Sequence, residues 1–121
     1  MKRRFRLTRS IDFKRVRKQG KSFAHPLVVL VKLPSTEDRP RVGISTSRSV
    51  GGAVQRNRAK RLLRETIRPL IPLISPGWDI VLVARASLVT AAFQDVQSVV
   101  ELLLRRAGLT SPVDEQSLNV R

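Results

Sequence analysis

The residues best able to do chemistry lie close together between positions 53 and 70, where basic side chains far outnumber acidic ones. Arginine offers a planar fork of N–H donors that matches phosphate oxygens and also stacks on bases. The segment therefore predicts binding of nucleic acid rather than the making or breaking of bonds. Its candidate binding residues are Arg56, Asn57, Arg58, Lys60, Arg61, Arg64 and Arg68.

This segment is predicted to be a helix, because its apolar residues recur with helical spacing. The residues that share one side of the helix, and so are expected to pack on a sheet, are Ala59, Leu62, Leu63, Thr66, Ile67 and Leu70. The basic residues occupy an arc of about 100° on the opposite side, with Arg56 and Arg58 at its edges. Only Glu65 could pair with them inside the helix, so their mutual repulsion predicts a partner that neutralises them. The alternative is an ordinary solvated helix surface, although such surfaces usually mix both signs of charge.

The whole chain is strongly basic, with 24 lysine and arginine residues against 9 acidic residues in 121, a net charge of +15. Such a surface attracts polyanions, and the length predicts one domain. A second basic cluster occupies residues 1–21. No apolar run approaches the ~20 residues of a membrane span, no signal-peptide core follows the basic N-terminus, and cysteine is absent. We therefore expect a cytoplasmic protein with no membrane partner.

The acidic and histidine residues do not predict a catalytic site in the protein. His25 is the only histidine, and it is expected to be a surface or structural residue. Asp12, Asp79, Asp95 and Glu101 fall on different predicted elements without the spacing of a catalytic carboxylate pair. No zinc or EF-hand pattern is present. The expectation is therefore no catalytic residue, no metal site and no cofactor bound by the protein alone.

The pattern along the chain predicts the element order α-β-β-β-α-β-α around a four-stranded mixed sheet. Helices are expected over residues 10–18, 53–70 and 91–107, with Thr90 capping the last, and strands over 22–24, 27–33, 41–47 and 78–84. The second and third strands are expected to pair as a hairpin. The third strand, long helix and fourth strand predict a crossover between parallel strands.

The fold class that follows is α+β, a two-layer sandwich with helices covering one face of the sheet. The domain is expected to span residues 1–108, with residues 1–8 as a basic arm. Residues 109–121 lack periodicity and are expected to form a flexible tail.

Residues 51–65, GGAVQRNRAKRLLRE, closely resemble the signature of the bacterial ribonuclease P protein family. Further motifs are similar to the family in order and spacing, namely LTRS at 7–10, DF at 12–13, GKS at 20–22, RVGIS at 41–45 and GWDIV at 77–81 with Arg85. The resemblance covers about residues 4–107 and leaves the C-terminal tail outside it.

The resemblance implies a protein subunit that joins a large catalytic RNA, in a complex that cuts the 5′ leader from precursor tRNA. The RNA and its bound Mg²⁺ are expected to do the chemistry, and no obligate protein partner is expected. The basic helix would contact the catalytic RNA through the residues named above. A cleft between the first helix and the sheet would take the single-stranded leader at Phe13, Val29 and Val31. The family's crossover is left-handed, against the usual hand of about 98% of such connections.

Two positions depart from the family pattern, because an aromatic residue often stands where this chain has Arg17 and Val31. We therefore expect the leader to be held by stacking on Phe13 and by the guanidinium of Arg17. A competing hypothesis is a non-catalytic ribosomal-type or nucleoid protein that binds RNA or DNA through the basic helix. That hypothesis explains the charge equally well, but not the sharp separation of the basic and apolar faces.

Overall fold

A four-stranded mixed sheet organises the chain in the computed structural model, which describes residues 2–110. Its strands are β1 (Lys21–Ala24), β2 (Val28–Pro34), β3 (Arg41–Thr46) and β4 (Trp78–Ala84), in the spatial order β1-β2-β4-β3. Strands β1 and β2 pair antiparallel, as do β2 and β4, whereas β3 and β4 pair parallel. The α+β class, the predicted element order and the mixed sheet are confirmed.

Three α-helices accompany the sheet: α1 (Ser10–Gln19), α2 (Ala53–Ile67) and α3 (Phe93–Arg106). Short 3₁₀ turns lie at Arg3–Phe5, Arg48–Val50, Arg68–Leu73 and Ala86–Thr90. Across the described part of the chain, no helix combines the length and the apolar character needed to cross a membrane.

Both faces of the sheet are apolar, because β2 and β4 are nearly continuous apolar runs. Side chains alternate along each strand, so Leu30 and Leu82 share the larger core with α2 and α3. Val31 and Val81 point to the other face, where α1 covers them with Val16. Helix α1 therefore lies on the sheet face opposite α2 and α3, so the prediction that the helices cover one face in a two-layer sandwich is wrong.

The predicted hairpin between the second and third strands is wrong. Strand β4 lies between β2 and β3 and pairs with both. Six consecutive residues of β4, from 79 to 84, are buried, so this strand is placed where both of its edges are paired. The predicted crossover is confirmed, since β3 connects through α2 to its parallel neighbour β4. The left hand of this crossover stays an expectation from the resemblance.

Two predicted helix ends are also wrong. Helix α2 ends at Ile67 rather than at residue 70, because Pro69 lacks the N–H that would continue the α-helical bonds and a 3₁₀ turn follows. Helix α3 begins at Phe93, and Thr90 lies in the preceding 3₁₀ turn. The Thr90 hydroxyl donates to the Ser87 carbonyl at 3.4 Å instead of capping α3.

Residues near both ends of the described range, 2–110, are tied to the fold more closely than predicted. Leu109 is fully buried and Thr110 pairs with Ile74, so the folded chain extends beyond the expected boundary at residue 108. The rest of the predicted tail, 111–121, lies outside the described residues. In the basic arm, Leu7 is buried and its N–H donates to the Val42 carbonyl at 2.9 Å, which anchors the arm to β3.

One buried carboxylate connects α1 to the sheet. Asp79 has no exposed side-chain surface, and its two oxygens accept hydrogen bonds from the guanidinium of Arg41 at 2.9 and 2.8 Å. The guanidinium of Arg15 on α1 donates to it at 2.7 Å. Burial by itself raises the pKa of Asp79, but the hydrogen bonds from Arg41 and Arg15 outweigh it and hold the pKa below its ordinary value.

We predict that Asp79→Asn lowers the free energy of unfolding by about 2–3 kcal/mol at neutral pH, because it leaves two arginines without their shared anion. Because the pKa of Asp79 is lower in the folded state than in the unfolded state, its ionised form stabilises the fold. This stabilisation is complete above the unfolded-state pKa of about 3.9, and it is lost as the pH falls through the folded-state pKa. Urea unfolding across pH 2–7 measures both effects. The difference between wild type and Asp79→Asn should shrink below about pH 4, and a constant difference would contradict this role.

Candidate RNA interface

Helix α2 presents most of its cationic residues to solvent on one face. The side chains of Ala59, Leu63 and Ile67 are buried against the sheet and α3, which turns the opposite side outward. Gly51, at φ 114°, makes the sharp turn that starts the helix, a conformation that L side chains rarely adopt. Of the predicted binding residues, Lys60 is half-buried and the others are exposed, namely Arg56, Asn57, Arg58, Arg61, Arg64 and Arg68.

The charge of this face is almost uncompensated within the protein. Arg68 pairs with Glu65 at 2.7 Å, near the C-terminal end of the helix. Among residues 2–110, none of the other basic side chains of the face makes an ion pair. The face therefore keeps a net positive field along about three turns of helix, and that field attracts a polyanion.

The two edges of the α2 face border different surfaces. On one side, Arg58 and Arg61 line grooves toward α3 and along the start of α2. On the other side, Arg64 borders a cleft of about 200 Å³ together with Phe13 of α1. Two sites that the sequence treated as separate, the basic helix and the α1 cleft, therefore adjoin at this pair of residues.

The cleft beside α1 depends on a close contact between Phe13 and β3. A Cβ at Gly43 would lie 2.5 Å from the Phe13 Cζ atom, so the ring lies directly against the backbone of this strand. Val29 is half-buried and packs in the α1-side cluster, whereas Arg17 is exposed. Val31 is only 3% exposed, so it supports the cleft from beneath and does not form its surface.

The sequence did not locate a further groove at the C-terminal end of α2. This groove encloses about 810 Å³, and cations from the arm, the β2–β3 loop and α2 surround an apolar floor that includes Phe5 and Ile71. Arg39 holds the arm in place, because its Nε donates to the Arg4 carbonyl at 2.9 Å. The basic cluster of residues 1–21 predicted a charged N-terminus. It did not predict where the arm lies, because that depends on a contact between residues 35 positions apart in the sequence.

His25, which the sequence predicted to be a surface or structural residue, and Trp78 both have structural roles. His25 accepts a hydrogen bond at Nδ1 from the Leu27 N–H at 3.1 Å, which supports the turn between β1 and β2. Trp78 packs against the larger core, and the ammonium of Lys32 lies 4.4 Å from its ring centre. The same ammonium donates to the Ala107 carbonyl at the end of α3, so Lys32 joins the sheet to that helix.

Comparison with known proteins gives a consistent family match. A family described as Ribonuclease P matches residues 1–108. The chain is 44% identical over 109 residues to the ribonuclease P protein component of Herpetosiphon aurantiacus, covering 90% of this chain and 89% of that protein. The Staphylococcus aureus RNase P protein superposes with a TM-score of 0.78 and 30% identity, covering 88% of this chain and 98% of that one. The Thermotoga maritima RNase P protein superposes with a TM-score of 0.72 and 33% identity, covering 83% of this chain and 96% of that one.

We predict that Gly43→Ala displaces the Phe13 ring and lowers the free energy of unfolding by about 1–3 kcal/mol, the usual effect of overpacking. Urea unfolding and the ¹H NMR shifts of the ring would measure it. The matched control is the same substitution in a Phe13→Ala background, where the steric conflict is gone and the added loss should be small. Equal losses in both backgrounds would show that the ring contact does not determine the role of Gly43.

Proposed function

The chain belongs to the bacterial ribonuclease P protein family, and from that premise we propose that its α2 face binds the catalytic RNA while the α1 cleft binds the 5′ leader of precursor tRNA. As the protein subunit of this holoenzyme, the chain takes part in the processing of tRNA 5′ ends. The family match over nearly all of the chain favours this function over a ribosomal-type or nucleoid protein.

The observation that carries the α2 assignment is the segregation of uncompensated charge on one side of a well-packed helix. Arg58, Arg61 and Arg64 project from it without an ion-pair partner in the described residues. Binding of a phosphate backbone releases condensed counterions and relieves the repulsion between these side chains. Because the groups are mostly arginines, each can also form two parallel hydrogen bonds with one phosphate.

The α1 cleft has the features of a site for single-stranded RNA. Phe13 provides an aromatic ring that is partly open to solvent, and Val29 continues the apolar surface on the sheet. Proteins that bind single strands commonly combine such stacking surfaces with cations that follow the backbone. Arg17 lies one helical turn after Phe13, and Arg64 borders the same cleft from α2. We infer that a leader nucleotide stacks on Phe13 while these arginines hold its phosphates.

We propose that the catalytic RNA supplies the chemistry and that the protein positions RNA. The most deeply buried carboxylate, Asp79, supports this division because both of its oxygens already accept hydrogen bonds from arginines. Residues 2–110 bring together no group of three His, Asp or Glu side chains that could hold a metal ion. The resemblance implies that the Mg²⁺ of the holoenzyme is bound by the RNA, and we propose the same here. The proposed partners are the catalytic RNA and precursor tRNA, in the cytoplasm.

The test is reconstitution with a bacterial ribonuclease P RNA and a precursor tRNA at low Mg²⁺. Wild-type protein should stimulate 5′ cleavage, and its affinity for the RNA should fall steeply with salt. We predict that Arg61→Ala reduces the slope of log Kd against log salt concentration by about 0.7–0.9, the value for one phosphate contact.

The matched control is Arg106→Ala, which removes one exposed arginine from the end of α3, away from the α2 face. Its salt slope should equal that of wild type. If the wild-type protein did not stimulate 5′ cleavage, the proposed function would be overturned. An unchanged slope for Arg61→Ala in an active holoenzyme would overturn only the assignment of the α2 face.

We predict that Arg17→Ala weakens binding of a precursor tRNA with a leader while leaving binding of mature tRNA unchanged. The reason is that this residue faces the leader and not the body of the tRNA. Affinities of the reconstituted holoenzyme for both RNAs measure the effect. Lys18→Ala, which removes the exposed cation at the next position of α1, is the control. If Arg17→Ala retained wild-type discrimination between the two RNAs, Arg17 would not contact the leader.

A further inference from the structure

The groove between α2 and the start of α3 combines an aromatic side chain with two arginines. It encloses about 600 Å³ and lies on the edge of α2 opposite the one that borders the α1 cleft. Its lining consists of two cations, one acid and an apolar wall, namely Arg58, Arg61, Glu65, Leu62, Ala91–Ala92 and Phe93. No sequence pattern pointed to this wall, because Phe93 has helical spacing with Val96 and Val100 and so falls on the apolar side of the last helix.

Phe93 is poorly accounted for by folding alone. Its side chain is 44% exposed, and it belongs to neither of the two buried clusters. Most other apolar positions of α3 are buried, and Val96 and Leu103 have no exposed surface. Single exposed apolar side chains are common on protein surfaces, but the Phe93 ring also lines a groove with two arginines, which favours an aromatic, anionic ligand.

The charges around Phe93 also favour an anionic ligand. Arg58 and Arg61 are one turn apart on α2, both exposed, and neither forms an ion pair within residues 2–110. The acid of the groove, Glu65, is already paired with Arg68 at 2.7 Å, so its charge is partly offset. A second groove of about 420 Å³ shares the same two arginines and continues past Val54 and Asn57.

An aromatic ring that adjoins two phosphate-binding groups matches the chemistry of a nucleotide. We propose that this groove binds one unpaired nucleotide of the catalytic RNA, with its base stacked on Phe93 and its phosphate held by Arg58 and Arg61. This inference rests on the proposed function of the α2 face and gives that face a contact that depends on base stacking as well as on charge. The occupant is RNA rather than a second copy of this chain, because two chains of net charge +15 repel each other.

The test measures the affinity of the full chain for a bacterial ribonuclease P RNA and the dependence of that affinity on salt. Phe93→Ala should weaken binding by about 5- to 150-fold, since a stacked base contributes about 1–3 kcal/mol. The salt slope should stay unchanged, because no charge is removed. Phe93→Trp should bind at least as tightly as wild type. Dimethyl sulfate footprinting should show one or a few unpaired RNA bases protected by wild type and exposed with Phe93→Ala.

Two variants separate stacking from other effects. Phe93→Leu retains apolar volume without an aromatic face, so it should bind about as weakly as Phe93→Ala. Leu73→Ala truncates another half-exposed apolar side chain, at the opposite end of α2, and should bind as wild type does.

Wild-type affinity for Phe93→Ala or Phe93→Leu, in a chain that still stimulates 5′ cleavage, would overturn the inference and leave the proposed function intact. A change in the molar mass of the free protein on Phe93→Ala would instead indicate self-association through this groove and overturn the inference. Failure of wild type itself to bind the RNA would overturn the proposed function.

Discussion

The buried carboxylate of Asp79 is the interaction on which the arrangement of the α1 side depends. It lies on β4 and accepts hydrogen bonds from Arg41 on the neighbouring strand and from Arg15 on α1. A shared anion between two arginines fixes both the distance and the rotation of α1 over the sheet. Phe13, two residues before Arg15, is thereby held against β3 at the position where the backbone of Gly43 leaves room for it. The ion pair fixes α1 and the glycine makes room for the ring, so both contribute to the position of Phe13 beside the cleft.

The basic face of α2 destabilises the helix that carries it, because its like charges repel one another. Like charges one turn apart destabilise a helix by a few tenths of a kcal/mol per pair. The apolar side of α2 offsets this, because Leu63 and Ile67 are fully buried and each such side chain contributes about 1.5–3 kcal/mol. The packing of these residues therefore holds the backbone of the helix against the sheet in spite of the repulsion between its basic side chains.

Local periodicity was enough to predict the helices and the two faces of α2, because these features depend on residues three or four positions apart. The order of the strands was not predictable in this way. Whether β2 pairs with β3 or with β4 depends on which strand is buried on both faces, and that is a property of the whole sheet. The Asp79 ion pairs join residues 38 and 64 positions apart. The exposure of Phe93 was likewise not predictable from its helical spacing, because it depends on what packs around the start of α3.

The pairing of the arm with Val42 has a consequence for the behaviour of the free protein. Strand β3 is an edge strand, and its unpaired backbone groups could join another sheet. Arg6 and Leu7 cover part of that edge, and one backbone carbonyl of β3 is occupied by the Leu7 N–H. The arginines of the arm add charge along the same edge, which natural sheets use to discourage aggregation. The N-terminal segment thus limits the part of β3 at which the edge strand of another sheet could pair.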